Sequence, residues 1–221
     1  DGANWSTFTK TDEKQTLADD RINDIAYEVT SYGAELWVAT ENGITVVNID
    51  DIDAMSWATP YRSDSLDMIS DTITSVTVDT ARHERWFGTP IGLTMFNGGV
   101  WFNYTTETEP SLAHDNVSAI GVDYTEGWKY VCTTGHEDYA ISRLRTTVDG
   151  VTSASPYDYS WSGILSPDIY AVYVDAEGSQ WYGTGEGVAY HDTTETKAKW
   201  ETFTTLEGLV NAINTDPDNP G

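Results

Sequence analysis

Cysteine and basic side chains are scarce in this chain of 221 residues. Cys132 is the only cysteine, so no disulfide can form within the chain. Eleven basic residues stand against 36 acidic ones, which gives a net charge of −25. A surface this acidic repels nucleic acid and anionic membranes, and we expect neither as a partner. The charge suits a secreted protein, a high-salt habitat or a protein that gathers cations.

Long apolar runs and targeting signals are also missing. No stretch approaches the roughly 18 apolar residues that a membrane-spanning helix needs, and we therefore expect no membrane insertion. The chain starts at Asp1 without a signal-peptide pattern, from which we expect a removed leader or a longer native chain. Phenylalanine is rare, with five residues beside nine Trp and 13 Tyr. This mixture is typical of twisted sheets that pack through amphipathic rings.

A five-residue motif with an aromatic second residue recurs four times. The copies are Leu36-Trp37-Val38-Ala39-Thr40, Arg85-Trp86-Phe87-Gly88-Thr89, Lys129-Tyr130-Val131-Cys132-Thr133 and Gln180-Trp181-Tyr182-Gly183-Thr184. Their aromatic residues are 49, 44 and 51 residues apart, and this period is typical of one four-stranded propeller blade. The fourth motif residue is small in every copy, which leaves room for close packing between blades. We interpret Cys132, at this position, as a packing residue and not as a reactive thiol.

The segments around each motif complete a four-stranded unit. An alternating, β-branched run precedes each copy and predicts an inner strand, at 22–25, 73–79, 117–123 and 169–175. The last three runs end in Asp, which favours a tight turn into the motif strand. A turn glycine then opens a third strand, and Trp101 and Trp200 mark a fourth, with Trp57 and Trp161 as weaker markers. The predicted blades cover approximately 20–61, 71–104, 115–161 and 167–203.

These segments resemble the two-component regulator propeller repeat, most closely at 86–93 and 181–188. The resemblance implies a single all-β domain over 1–221, a β-propeller with four recognisable four-stranded blades. In that family such repeats usually form periplasmic sensor regions of hybrid histidine kinases, often recognising carbohydrate, and they also occur in secreted proteins without a kinase. The implied function is a noncatalytic periplasmic or extracellular module that binds a carbohydrate or another small polar ligand. The third unit departs from the pattern at Tyr130, at Cys132 and over 135–139.

Partial strands are predicted at both ends, over 4–9 and 209–216. The first resembles an outermost strand with edge residues Trp5 and Phe8, and the second resembles an innermost strand with Val210 and Ile213. Three explanations remain open. The native chain is longer, or the two strands close a five-bladed ring, or an open end accepts a strand from another copy. The last explanation makes the chain a structural subunit of an extracellular filament.

Ligand-binding residues are expected on the face that carries the loops between blades. The densest cluster of polar and ionisable side chains is His136, Glu137, Asp138 and Tyr139, in the most divergent unit. Its carboxylates and imidazole suit a polar ligand, with Tyr139 stacking on a sugar ring, and the alternative is a solvated insertion. His114 and Asp115, in the loop before the third unit, are the further candidates.

No catalytic signature occurs in the sequence, and we predict no catalytic residue. A propeller lyase or glycosidase is therefore the third hypothesis, after the binding module and the filament subunit. The four histidines lack metal-ligand spacing, and no transition-metal site is predicted. Calcium is the one candidate cofactor, at Asp50, Asp51 and Asp53 or in the tail 216–221, although both segments lack a distal bidentate Glu.

Overall fold

Strands are the only regular structure in the described part of the chain. The computed structural model describes residues 6–10, 17–31, 33–51, 53–108, 110–135, 139–147, 150–158, 163–193 and 199–204. These residues form four antiparallel four-stranded sheets, in which strands consecutive in the sequence are neighbours. The predicted all-β fold is thus confirmed. Within this part of the chain no helix is long and apolar enough to cross a bilayer.

Each sheet runs from an inner to an outer strand and falls within one of the four predicted repeat units. The first sheet comprises β1 (Ile22–Thr30), β2 (Gly33–Thr40), β3 (Gly43–Asn48) and β4 (Ser56–Trp57). The second comprises β5 (Ser75–Asp79), β6 (Glu84–Thr89), β7 (Gly92–Asn97) and β8 (Val100–Tyr104). The third comprises β9 (Val117–Val122), β10 (Trp128–Thr133), β11 (Tyr139–Thr147) and β12 (Gly150–Asp158). The fourth comprises β13 (Ile169–Val174), β14 (Gln180–Thr184), β15 (Gly187–Asp192) and β16 (Lys199–Phe203).

The polar residues of the motif fold the hairpins. Asp79 accepts a hydrogen bond from the backbone N–H of Arg82, and Asp175 accepts one from Ser179, so each carboxylate closes the turn after an inner strand. The last motif residue closes the next turn, because the Thr89 hydroxyl donates to the Gly92 carbonyl over 2.8 Å. Gly92 has a φ of +145°, which favours glycine at the start of the third strand.

The four sheets pack in series through their inner strands and broad faces. β1 lies against β5, β5 against β9, and β9 against β13. A separate apolar cluster fills each of the three junctions, and the motif aromatics Trp37, Trp86 and Tyr130 lie buried in the first, second and third. Among the described residues, β13 and β1 do not form a packed pair of this kind, and the series of sheets is not closed.

Charged side chains also join neighbouring sheets. Arg85 donates two hydrogen bonds, of 2.8 and 2.7 Å, to the carboxylate of Glu28 in the first sheet. Lys129 is fully buried, with its Nζ 2.9 Å from Asp79 and 2.6 Å from Glu84 in the second sheet. Arg85 and Lys129 occupy the first position of the motif. The sequence alone did not indicate that residues at this position form ion pairs.

The chain ends contribute little that can be compared with the predicted partial strands. Residues 6–10 lie outside the named strands, although the Phe8 ring is 5.5 Å from that of Trp57 in β4. Trp5 and the segment 205–221, with Val210 and Ile213, lie outside the described residues, as does Trp161.

Candidate functional site

The loops that enter the inner strands gather on one side of the sheets, together with the turns between second and third strands. Gly43 in the β2–β3 turn donates from its N–H to the Asp71 carbonyl, in the loop before the second sheet. Gly135 after β10 similarly donates its N–H to the Asp168 carboxylate over 2.9 Å. This side is called the loop face below. A small cavity opens there beside the inner strands.

The cavity is lined by residues of all four inner strands or the residues next to them, and we call it the axial cavity. Its volume is about 260 Å³. The lining residues are Asn23, Asp24, Thr74, Ser75, Ser118, Ala119, Ile120, Tyr170, Ala171 and Val172. This volume lies just below the range of about 300–1,000 Å³ that is common for ligand pockets, so only a small molecule fits.

Most polar groups of the axial cavity hold adjacent sheets together. Equivalent side chains of three successive sheets each donate to a carbonyl of the next sheet. These bonds run from Asn23 Nδ2 to Ile73 O (2.8 Å), from Thr74 Oγ1 to Val117 O (2.6 Å) and from Ser118 Oγ to Ile169 O. The two hydroxyl groups use their protons in these bonds and keep lone pairs that can accept from a ligand. Tyr170 occupies the equivalent position in the fourth sheet and is 62 % exposed.

Asp24 is the one carboxylate among the lining residues, and Ser75 is the one whose buried hydroxyl has no partner. The Asp24 oxygens accept from the N–H groups of Ile25 (2.8 Å) and Val76 (2.9 Å). Burial raises the pKa of Asp24 above its ordinary value despite these bonds. The Ser75 hydroxyl is buried and makes no hydrogen bond. A buried polar group without a partner is unusual and costs stability unless a ligand or water satisfies it.

The two described ligand candidates of the sequence analysis stabilise their own loop. His114 Nδ1 accepts from the N–H of Asn116 over 3.3 Å. Asp115 accepts from the N–H (2.7 Å) and the hydroxyl (3.0 Å) of Thr106. His114 lies close to Gly135, which immediately precedes the predicted cluster in the sequence.

The remaining candidates are placed only in part. His136, Glu137 and Asp138 lie outside the described residues, and Tyr139 is the first residue of β11. Sequence reasoning missed the residues of the axial cavity. The available signal was positional, because Asn23, Thr74, Ser118 and Tyr170 follow the first residue of the four aligned inner-strand runs.

The Asp50 and Asp51 candidates for calcium serve the turn after β3. Asp50 accepts from the N–H of Ala34 over 2.7 Å, and Asp51 accepts from that of Asp53 over 3.0 Å. Among the residues that the structure describes, no group of three or more His, Cys, Asp or Glu is placed to hold a metal ion. The tail 216–221 lies outside the described residues.

Two further cavities lie away from the axial one. A groove of about 390 Å³ runs between residues 63–67 and Trp101, on the outside of the second sheet. A crevice of about 330 Å³ separates the third and fourth sheets beside Trp128 and Arg143, whose guanidinium lies 4.0 Å from the indole centroid. Neither cavity is shared by all four sheets, and the axial cavity is therefore the candidate site.

Four serially packed sheets with a polar cavity at their inner strands define a propeller-type protein. No protein-family model matches the chain, and no curated protein matches its sequence. Solved structures do match, at low sequence identity.

Three similar proteins illustrate the likeness. The extracellular domain of BT4673 from B. thetaiotaomicron is described in one structure as a putative one component system and in another as a putative hybrid two component system. These structures match with TM-scores of 0.55 and 0.56 and identities of 15 % and 14 %, over 81 % and 83 % of this chain and 22 % of theirs. Hydrazine synthase of Kuenenia stuttgartiensis matches with a TM-score of 0.56 and 12 % identity, over 83 % of this chain and 54 % of its own.

YCF48 bound to D1 peptide matches with a TM-score of 0.50 and 14 % identity, over 87 % of this chain and 58 % of its own. The chain thus spans less than two thirds of each of these three proteins. At these identities the likeness shows the fold, which is all-β and of propeller type. The likeness does not establish an activity, since proteins with the same fold have many different functions.

Proposed function

We propose that this chain is a noncatalytic, extracytoplasmic recognition module of the sensor type, which binds a carbohydrate or another small polar ligand on its loop face. The observation that carries the proposal is the axial cavity, where the buried Ser75 hydroxyl has no hydrogen-bond partner. The likeness to the extracellular domain of BT4673 supports a location outside the cytoplasm.

The chemistry of the axial cavity favours a neutral ligand rich in hydroxyl groups. The Ser75 hydroxyl can donate, the Thr74 and Ser118 hydroxyls can accept, and the exposed Tyr170 ring offers an apolar face at the rim. His114 and Asp115 extend this surface from the loop that enters the third sheet, and the sequence candidates 136–139 belong to the same proposed site. A ligand in the cavity touches the inner strands of several sheets, so its binding energy favours one arrangement of those sheets over others.

The geometry favours recognition over glycoside hydrolysis. Glycosidases require two carboxyl groups that flank the scissile bond, whereas Asp24 is the one carboxylate among the described lining residues. Its oxygens already accept two backbone hydrogen bonds.

The proposal predicts that removal of the Ser75 hydroxyl weakens ligand binding without weakening the fold. Calorimetric titration of the purified chain with neutral mono- and disaccharides should identify a binding sugar. For that sugar, we expect Ser75→Ala to lower affinity about two- to tenfold, since one hydrogen bond contributes about 0.5–1.5 kcal/mol. The free energy of unfolding should be unchanged or higher, because the mutation removes an unsatisfied buried group.

A matched pair of tyrosines tests the location. Tyr170→Ala removes a ring from the cavity rim, and Tyr173→Ala removes an equally exposed ring from the same strand away from the cavity. Only the Tyr170 substitution should weaken binding of the sugar. Equal effects would refute the location, and the absence of binding to any sugar or other small polar compound would refute the recognition function.

A filament subunit is the second candidate function, and the unclosed series of sheets favours it. The first and fourth sheets each leave one face without a neighbouring sheet among the described residues. Such a chain can join other copies through its open ends, by strand exchange at the sheet edges or by contact of the faces. Electron microscopy of concentrated protein tests it, and closed monomers under all conditions would contradict it.

A further inference from the structure

Every junction between sheets in this chain has two different halves. The sheet that comes first in the sequence supplies its motif aromatic, and the next sheet supplies apolar residues of its inner and motif strands. At the first junction Trp37 lies 5.9 Å from Phe87 and is packed with Val76 and Val78. The same arrangement places Trp86 with Ile120 and Val131, and Tyr130 with Tyr182.

The face of the fourth sheet that no other described sheet covers, called its open face below, is an unused first half of this junction. Trp181, the fourth motif aromatic, is only partly buried, whereas its three equivalents are at most 3 % exposed. The strand register aligns Trp181 with Tyr173 and Tyr190, and the Trp181 and Tyr190 rings are 4.3 Å apart. Tyr173, at the inner-strand end of this aromatic row, is 65 % exposed.

The open face of the first sheet is an unused second half. Ile25 and Tyr27 are 58 % and 59 % exposed, although their equivalents in the second sheet, Val76 and Val78, are buried. Tyr27 is aligned with Leu36, so these two side chains form an apolar row on this face, and the row ends at Val47, which is buried. Leu36 occupies the motif position that is Arg85 in the second sheet and Lys129 in the third. The row on the first sheet therefore carries no charge.

We infer that the open face of the fourth sheet in one copy packs against the open face of the first sheet in the next copy. The contact repeats an interface that the chain itself forms three times, and it places the aromatic row on the apolar row. Because the two faces differ, the contact is head-to-tail and continues from copy to copy. This inference rests on the second candidate function, self-assembly, and specifies sheet faces as the contact.

Net charge sets the conditions under which copies associate. Each copy carries a charge of −25, so copies repel one another at low ionic strength. The screening length falls from about 10 Å at 0.1 M salt to about 3 Å at 1 M salt. Assembly therefore increases with salt, while the apolar contact between the faces is retained.

The test measures sedimentation velocity of the full chain at about 1 M salt over a range of protein concentrations. Trp181→Lys disrupts one face and Tyr27→Lys the other, and each also reduces the negative charge, so lost assembly cannot arise from added repulsion. Ile91→Lys is the control, because Ile91 is 54 % exposed in a β-turn away from both faces. The native chain and the control should assemble, and each face variant alone should remain monomeric.

Mixing the two face variants distinguishes this contact from others. Trp181→Lys retains an intact first sheet, and Tyr27→Lys retains an intact fourth sheet, so the mixture should form dimers and nothing larger. A symmetric contact between two fourth sheets would instead be abolished by Trp181→Lys alone. If both variants assemble as the native chain does, the contact between these faces is wrong, whereas self-assembly itself still holds. A native chain that stays monomeric at every concentration would overturn both.

Discussion

The fourth residue of the motif has less free space in the second sheet than in the fourth, which has no described sheet after it. A Cβ atom on Gly88 would lie 2.5 Å from Ser75 Oγ and 2.7 Å from Val117 Cγ1, a methyl group of the third sheet. A Cβ atom on Gly183 would meet only Ala171, at 3.5 Å, which is ordinary contact. Cys132 fills this position in the third sheet as a fully buried thiol, and burial raises its pKa far above the ordinary value. The expectation that Cys132 is a packing residue agrees with this burial.

Alanine at the two glycines should therefore have different effects on stability. Gly88→Ala should lower the free energy of unfolding by about 1–3 kcal/mol, the usual cost of adding volume to a packed core. Gly183→Ala should leave it nearly unchanged, since space is available. Denaturant unfolding of the two variants measures the difference. Equal destabilisation would show that the fourth sheet is as crowded as the second.

At the scale of strands and sheets, Lys129 connects two elements through buried charges. Its ammonium group contacts Asp79 and Glu84 and donates to the Thr146 hydroxyl over 3.0 Å. A buried ion pair does not by itself stabilise a fold strongly, because the cost of removing both charges from water offsets the attraction. Removal of one partner is costly, because the remaining charges stay buried without it.

Lys129→Met should lower the free energy of unfolding by about 3–5 kcal/mol. Lys199→Met is the matched control, since Lys199 pairs with Glu201 at an exposed site and its loss should have little effect. Thermal or denaturant unfolding of both variants measures the comparison. A small loss for Lys129→Met would mean that the carboxylates of Asp79 and Glu84 are satisfied by other groups.

Acid should weaken the same junction. Burial alone would raise the pKa of Asp79, but the hydrogen bonds and charges of Lys129 and Arg82 outweigh it and lower the pKa below the ordinary 3.8. A lowered folded-state pKa contributes stability above the unfolded value, and this stability is lost as pH falls through the folded one. The free energy of unfolding should therefore decrease as the pH falls below about 3.8, and Lys129→Met should make this decrease smaller. An identical pH profile for both proteins would argue against the Asp79–Lys129 coupling.

At the scale of the whole molecule, the repeat predicted more of the fold than of the site. Alternation, turn residues and the recurring motif are local signals, so the strands around Trp86 and Trp181 were expected where the structure has them. The axial cavity depends on which sheets become neighbours, and a single polar residue such as Thr74 gives no such information locally. The charge pairs of Arg85 and Lys129 escaped notice for the same reason, because their partners lie about 50 residues away in the sequence.

Arg85 and Lys129 each form ion pairs with a neighbouring sheet, and these ion pairs also affect the cleavage of the chain by proteases. Proteases that recognise lysine or arginine have few targets in a protein with eleven basic residues. These two lie in the second strand of a sheet, with strands hydrogen-bonded on both sides. Cleavage there requires the sheet to open first, since a protease binds an extended, accessible segment. The contacts that join the sheets therefore also protect two of the few sites at which such enzymes could cut.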